Sequence, residues 1–355
     1  MKCQNHDNCD KKNGKCEPLH DSRELKSAAV SGFNLKSMSV GVILFCLAGI
    51  GIYFAQKGNS SGASAVETYN LDEYRKTDKA LILYNELYSS PSGLKEPTCI
   101  ALGADNRIYA GGDRKIRVFD MDGKELRQFN LQAQPFAMAV TENNDILVSF
   151  GSRVSVLNSD GVETKSWEFE LGSIITSIAV SGQVVFMADA GKRVVQVKDL
   201  SGPEKEGRKI GAIDKKRGDD GIVVYSAYFD VAVGDNDLIT VVDPGRHRIK
   251  LYSQAGELIS AWKSNPATGI AGFSGCCNPS HIALCPDGRI VTSEKGIARI
   301  KLYSPSGDFI GVVAGPESFK AGQLPCDIAV DKKGRVCALD PAAGRIRIFV
   351  EKQEY

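Results

Sequence analysis

The sequence predicts an all-β chain, a six-bladed β-propeller preceded by one N-terminal transmembrane helix. Three observations predict it. One unit of strand-forming residues returns six times from Pro97 onward. No stretch between those strands carries the apolar period of a helix, which a TIM barrel or a Rossmann sheet would need. Met38–Ala55 is free of charge and long enough to cross a bilayer, which takes roughly 17–25 helical residues. Composition agrees, since 36 glycines against 13 prolines suit a turn-rich β protein and 355 residues can bury a large core. A net charge of +1 without a long single-sign run argues against nucleic acid as a partner, because that binding needs a basic surface to displace counterions.

In chain order, residues 1–37 read as a short inner tail. Its Cys3, Cys9, Cys16 and His20 are of the types that ligate zinc, but they contain no Cys-x-x-Cys pair, and a polar tail with reduced thiols competes with that reading. Residues 38–55 read as a retained signal anchor. A cleaved signal peptide has a shorter charged lead, and a lipoprotein signal would need a small residue where Phe45 precedes Cys46. Arg23, Lys26 and Lys36 stand before the span and Lys57 nearly alone after it, which predicts a cytoplasmic N-terminus and an extracytoplasmic propeller at the cell membrane. Residues 56–70, with Gly58–Ala65, read as a flexible linker, and 71–355 as the propeller.

The first copy of the unit runs Pro97-Thr-Cys-Ile-Ala101, a β-branched strand to Asp113, then Lys115-Ile-Arg-Val-Phe119 and a Gly turn at Asp122-Gly123. Later copies open at Pro135, Thr176, Phe229, Pro279 and Pro325. Units of about 40–50 residues with four strands each are propeller blades, which bury their faces only by stacking around an axis. Alternation in Arg299-Ile-Lys-Leu-Tyr303 and Arg345-Ile-Arg-Ile-Phe349 predicts third strands with one buried face. The sixth copy stops after its third strand, so Leu81–Leu87 is expected to supply the fourth and close the ring.

Asp287-Gly-Arg-Ile-Val291, Arg299-Ile-Lys-Leu-Tyr303 and Ser306-Gly-Asp-Phe-Ile-Gly311 resemble the NHL-repeat propellers, here as a membrane-anchored, bacterial-type member. The resemblance spans roughly Pro97–Val350 and implies the six-bladed fold more strongly than any activity. Its ubiquitin-ligase members carry a RING, which the N-terminal cysteines do not make. Its amidating-lyase branch holds zinc with several propeller histidines, whereas this propeller has His247 and His281.

In such propellers the first strand of each blade lines the channel, and the loops entering it open on the same face as those joining second and third strands. The residues before each first strand's apolar pair are Cys99, Ala137, Ser177, Asp230, His281 and Asp327; the second-to-third loops add Asp113, Asp189, Asp243, Glu294 and Asp340. An acidic mouth with one imidazole results, and it is the expected face for a small ligand or a protein partner. Cys99, Cys326, Cys276 and Cys277 fall on three neighbouring blades of that face, beside His281. Three readings stay open: disulfides, a soft-metal site such as zinc through thiolates and His281, and separately buried thiols. The acidic loops read as turn caps and arginine partners, or as a Ca²⁺ site if several oxygens converge. A metal- or redox-dependent enzyme on this face is the alternative to a binding module.

Overall fold

Short β-branched runs punctuated by Gly turns fold here as antiparallel four-stranded sheets. The computed structural model describes residues 76–202, 207–234, 237–263, 269–319 and 324–353, all within the unit Tyr69–Tyr355. Strand β1 (Tyr84–Pro91) precedes the repeats. Blade 1 holds β2 (Pro97–Leu102), β3 (Ile108–Gly112), β4 (Lys115–Phe119) and β5 (Glu125–Asn130). Blade 2 holds β6 (Ala137–Val140), β7 (Ile146–Ser149), β8 (Arg153–Leu157) and β9 (Glu163–Glu168). Blade 3 holds β10 (Ile175–Ser181), β11 (Val184–Asp189), β12 (Val194–Asp199) and β13 (Arg208–Ile210). Blade 4 holds β14 (Val231–Val233), β15 (Ile239–Asp243), β16 (Arg248–Tyr252) and β17 (Leu258–Trp262). Blade 5 holds β18 (His281–Leu284), β19 (Ile290–Glu294), β20 (Arg299–Tyr303) and β21 (Phe309–Ala314). Blade 6 holds β22 (Asp327–Val330), β23 (Val336–Asp340) and β24 (Arg345–Glu351).

The fourth strand of blade 6 is β1, in the order β1-β24-β23-β22. It pairs antiparallel with β24 from Tyr84 opposite Glu351 to Pro91 opposite Arg345. Arg347 clasps Glu86 across this pair at 2.9 and 2.7 Å. The strand therefore keeps Tyr84–Leu87 of the expected Leu81–Leu87 but starts three residues later and runs on to Pro91. Lys79–Leu81 forms a 3₁₀ turn instead, and the Leu83 N–H donates to Val312 O in blade 5 at 2.9 Å. The cause is apolar packing: Leu83 sits where a Cβ on Gly311 would come within 2.5 Å of it, so this run fills the seam between blades 5 and 6.

Apolar clusters occupy the seams between successive blades. Trp262 of blade 4 packs on Phe273 and Tyr303 at 6.0 and 5.6 Å between ring centres. The third strands depart from the one-sided burial their alternation predicts, because a blade is covered on both faces. Lys250 and Lys301 are fully buried. Lys250 Nζ donates to Asp219, Asp220 and Gly221 O at 2.6, 2.8 and 2.7 Å. Lys301 donates to Gly272 O at 2.8 Å and pairs with Glu294. Arg117 and Arg347, at the same position of their blades, donate to Ser92 O and Ser318 O at 2.7 and 2.8 Å. In all four, the middle of the third strand grips the loop entering its own blade, which supplies the partners a buried charge requires.

The expectations for the inner tail with Cys3, Cys9, Cys16 and His20, for the 38–55 anchor and for the linker lie outside the described residues. Among the described residues, no helix is long and apolar enough to cross a membrane.

Candidate functional site

The first strands of all six blades line an axial cavity of about 280 Å³. On blades 4, 5 and 6 the residues at their entrance are Asp230, His281 and Asp327. His281 Nδ1 lies 3.5 Å from Asp230 Oδ2 and 3.4 Å from Asp327 Oδ1. Among the described residues this is the one group of three Asp, Glu, His or Cys side chains whose ligating atoms all lie within 4.8 Å of one another.

Backbone hydrogen bonds hold the two carboxylates in place. Asp230 accepts the Val231 N–H at 2.8 Å and, across the seam, the Ile282 N–H of blade 5 at 2.8 Å. Asp327 accepts the Ile328 N–H at 2.9 Å and the Ile100 N–H of blade 1 at 2.7 Å. Ser177 does the same more weakly, its Oγ taking the Val231 N–H of blade 4 at 3.3 Å. One aligned position thus serves as a stitch from blade to blade, and its residue types also decide the chemistry of the channel mouth. Ala137 and Ser177 make the opposite side small, while the triad makes blades 4–6 polar.

Burial pushes the Asp327 carboxyl up to about 6; His281 pulls it down and Asp230 adds to the rise. His281 is raised above the ordinary imidazole value: burial opposes this, but contact with Asp230 and the charges of both carboxylates outweigh it. Both shifts favour the protonated forms of Asp327 and His281, so the site becomes more negative as pH rises through their values. Oxygen, nitrogen and oxygen at this spacing can hold a cationic ligand group or a divalent ion.

None of the described cysteines joins the triad. Cys99 turns away from the cavity into the seam with blade 2, where its sulfur would lie 2.6 Å from a Cβ on Gly111, and burial pushes its thiol up to about 12. Cys326 lies in the seam between blades 5 and 6 and its thiol is also raised by burial. Cys285 shares that seam, and Cys337 is buried between blades 6 and 1. Among the described cysteines, only Cys276 and Cys277 are brought together, as free thiols 3.1 Å apart.

Nor do the acidic loops converge on the mouth; each serves its own blade. Asp113 accepts the Lys95 and Glu96 N–H groups at 2.7 Å, and Asp189 accepts Ile174 N–H and Gln196 Nε2, both at 3.0 Å. Asp243 binds the Val223 N–H at 2.8 Å and Arg248 at 2.7 Å; Glu294 binds Arg299 at 2.8 Å. Asp340 takes the Ala343 N–H at 3.0 Å and faces Arg347, whereas Arg345 turns to Ser89 on the closing strand.

Residues that sequence reasoning passed over complete the mouth. Tyr228 presents its ring edge-on to His281 at 5.8 Å, and the Lys295 ammonium lies 4.8 Å from the Tyr228 ring centre while donating to Ser226 Oγ at 3.1 Å. The one sequence signal was position, since Tyr228 precedes Phe229-Asp230 and Lys295 follows Glu294.

No protein-family model matches the chain, and no curated protein sequence matches it. Solved structures do match in fold. A streptogramin B lyase aligns at 12% identity over 78% of this chain and 100% of its own, with a TM-score of 0.53. A catalytically inactive virginiamycin B lyase from Staphylococcus aureus with quinupristin aligns at 15% identity over 72% of this chain and 80% of its own, with a TM-score of 0.51. The β-propeller domain of Myceliophthora thermophila Cps50 (Swd1) aligns at 11% over 76% of this chain and 100% of its own, with a TM-score of 0.51. These likenesses establish the six-bladed propeller, a fold that commonly binds proteins or small molecules.

Proposed function

We propose that this chain is a membrane-tethered, extracytoplasmic propeller that binds a small, positively charged ligand at the mouth of its channel. The observation that carries this reading is the convergence of Asp230, His281 and Asp327 above a cavity whose far side is lined by Ala137 and Ser177. Two carboxylates against one imidazole favour an amine or a divalent cation, and a cavity of about 280 Å³ suits a small group. That the fold accommodates a small molecule is supported by the lyase solved with quinupristin. The tether and its direction rest on the uncharged run Met38–Ala55 and the basic residues ahead of it.

The ligand test is calorimetric titration of the full-length protein in detergent with Ca²⁺, Mn²⁺, Zn²⁺ and small primary amines. Saturable binding of one of these, weakened at least tenfold in Asp327→Asn and in His281→Gln, is expected. Binding that both variants leave unchanged would remove the triad from the reading. For topology, an alkaline phosphatase fusion after Gln56 should be active, and an inactive fusion would overturn the outside placement.

A protein partner on the same face is favoured by a different observation. The loops entering blades 2, 3, 4 and 6 expose Phe136, Leu171, Tyr225 and Leu324, large apolar side chains that these loops leave uncovered. Cross-linked partners whose yield falls in a Leu171→Asp/Tyr225→Asp variant, with no binding in the titration, would favour this reading over the first.

A further inference from the structure

We propose that Cys276 and Cys277 form a reversible dithiol–disulfide couple that exchanges with a low-molecular-weight disulfide. The proposal is independent of any ligand at the triad. The two sulfurs already lie 3.1 Å apart, both thiols are free, and they differ in access: Cys276 is exposed and Cys277 is 2% exposed.

The loop that carries them is built to hold this geometry. Arg299 donates to Ser274 Oγ at 2.8 Å, Lys301 to Gly272 O at 2.8 Å and Tyr303 Oη to Ala271 O at 2.8 Å, so blade 5 pins the segment before the pair. After the pair, Asn278 Nδ2 donates to Lys295 O at 3.0 Å, and its Oδ1 accepts the Lys295 N–H at 3.0 Å. Between these pins Gly275 and Cys277 both take left-handed backbone, with φ of 83° and 61°. That conformation is unusual for a residue with a Cβ. Burial and the neighbouring Cys276 raise the Cys277 thiol, while Ser226 and the Lys295 ammonium pull it down.

The chemistry follows from access. The exposed Cys276 thiolate attacks one sulfur of the external disulfide, forms a mixed disulfide and expels one thiolate. Cys277 then loses its proton and attacks the Cys276 sulfur, which expels the second thiolate. Two protein thiols are oxidised, one external disulfide is reduced to two thiols, and the protons pass to the leaving thiolates. Adjacent Cα atoms are about 3.8 Å apart across a trans peptide, below the usual disulfide range of roughly 4.4–6.8 Å. The resulting ring is strained, and strained disulfides are the readily reduced ones, which makes the step reversible.

The test uses the full-length protein in detergent, oxidised glutathione as the probe, N-ethylmaleimide to trap free thiols and peptide mass mapping. After oxidation the peptide spanning residues 276 and 277 should lose both alkylation sites and the mass of two hydrogens, and dithiothreitol should restore both sites. Cys277→Ser should stop at a glutathione adduct on Cys276. Cys276→Ser should leave Cys277 unreacted, with its cooperative thermal transition retained. Four results would each overturn the proposal: two alkylatable thiols in the oxidised wild type, a stable glutathione adduct there, a bond from either residue to another cysteine, or full reactivity of Cys277 in Cys276→Ser.

Discussion

Asp327 Oδ2 accepts the Ile100 N–H at 2.7 Å, across 227 residues of chain, and so joins the last blade to the first at the rim of the channel. The same carboxylate faces His281. Ring closure and the candidate site therefore share an atom group, and the β1–β24 pairing closes the ring a second time at its periphery.

Asp327→Ala should leave the Ile100 N–H without its partner and cost about 1–3 kcal/mol of stability, the penalty for an unsatisfied buried donor. Asp327→Asn keeps an acceptor oxygen and should recover most of that loss. Urea unfolding of both variants checks this, and equal losses in the two would show that charge rather than the hydrogen bond is what matters.

The stability contributed by Asp327 and His281 should fall as pH rises, against the opposite slope of carboxylates held low, such as Asp220 and Asp113. Asp327 is raised from 3.8 to about 6, so the folded state holds a proton that the unfolded chain releases, and its contribution declines between about pH 4 and 6. His281, raised above 6.5, adds stability that is complete below 6.5 and is lost as pH passes its folded value. Both slopes have the same sign. At about 1.4 kcal/mol per pH unit the Asp327 share is at most roughly 3 kcal/mol. Unfolding at a series of pH values should show wild-type stability falling relative to Asp327→Asn between about pH 4 and 6, and parallel curves would contradict it.

Glu294→Gln should destabilise blade 5 by about 3–5 kcal/mol, because it leaves the fully buried Lys301 ammonium without its carboxylate. Burial already lowers Lys301 to about 8, against the pull of Glu294. A Glu294→Gln/Lys301→Met double variant removes the stranded charge and should regain much of the loss. Denaturant midpoints of the single and double variants decide it.

Removing residues 1–91 takes away β1 and exposes the edge of β24. The shortened chain should aggregate or lose its cooperative transition, whereas one beginning at Lys76 should unfold in a single step. Light scattering with calorimetry compares the two, and equal behaviour would show that β1 does not close the ring.

Much of this was legible in the sequence because it is local. Alternation, Gly turns and the return of one unit specify strands and blades within a few residues of each other, and aligning the copies was enough to put Asp230, His281 and Asp327, with Cys99, Ala137 and Ser177, at one position of the channel face. Three features were not legible, for tertiary reasons. The closing strand shifts to Tyr84–Pro91 because Leu81–Leu83 finds an apolar seam against blade 5. The third-strand cations are buried because a blade is covered on both sides. Cys99 and Cys326 part from His281 because each turns into a seam rather than toward the axis.

The sequence by itself determined the blade count, the strand order and which residue types stand at the channel entrance, since a repeat carries its pairing partners within itself. Only the tertiary structure decided which of those residues meet. Asp230, His281 and Asp327 come from three blades, spread over nearly a hundred residues, and stacking around a common axis is what brings their atoms within 4.8 Å.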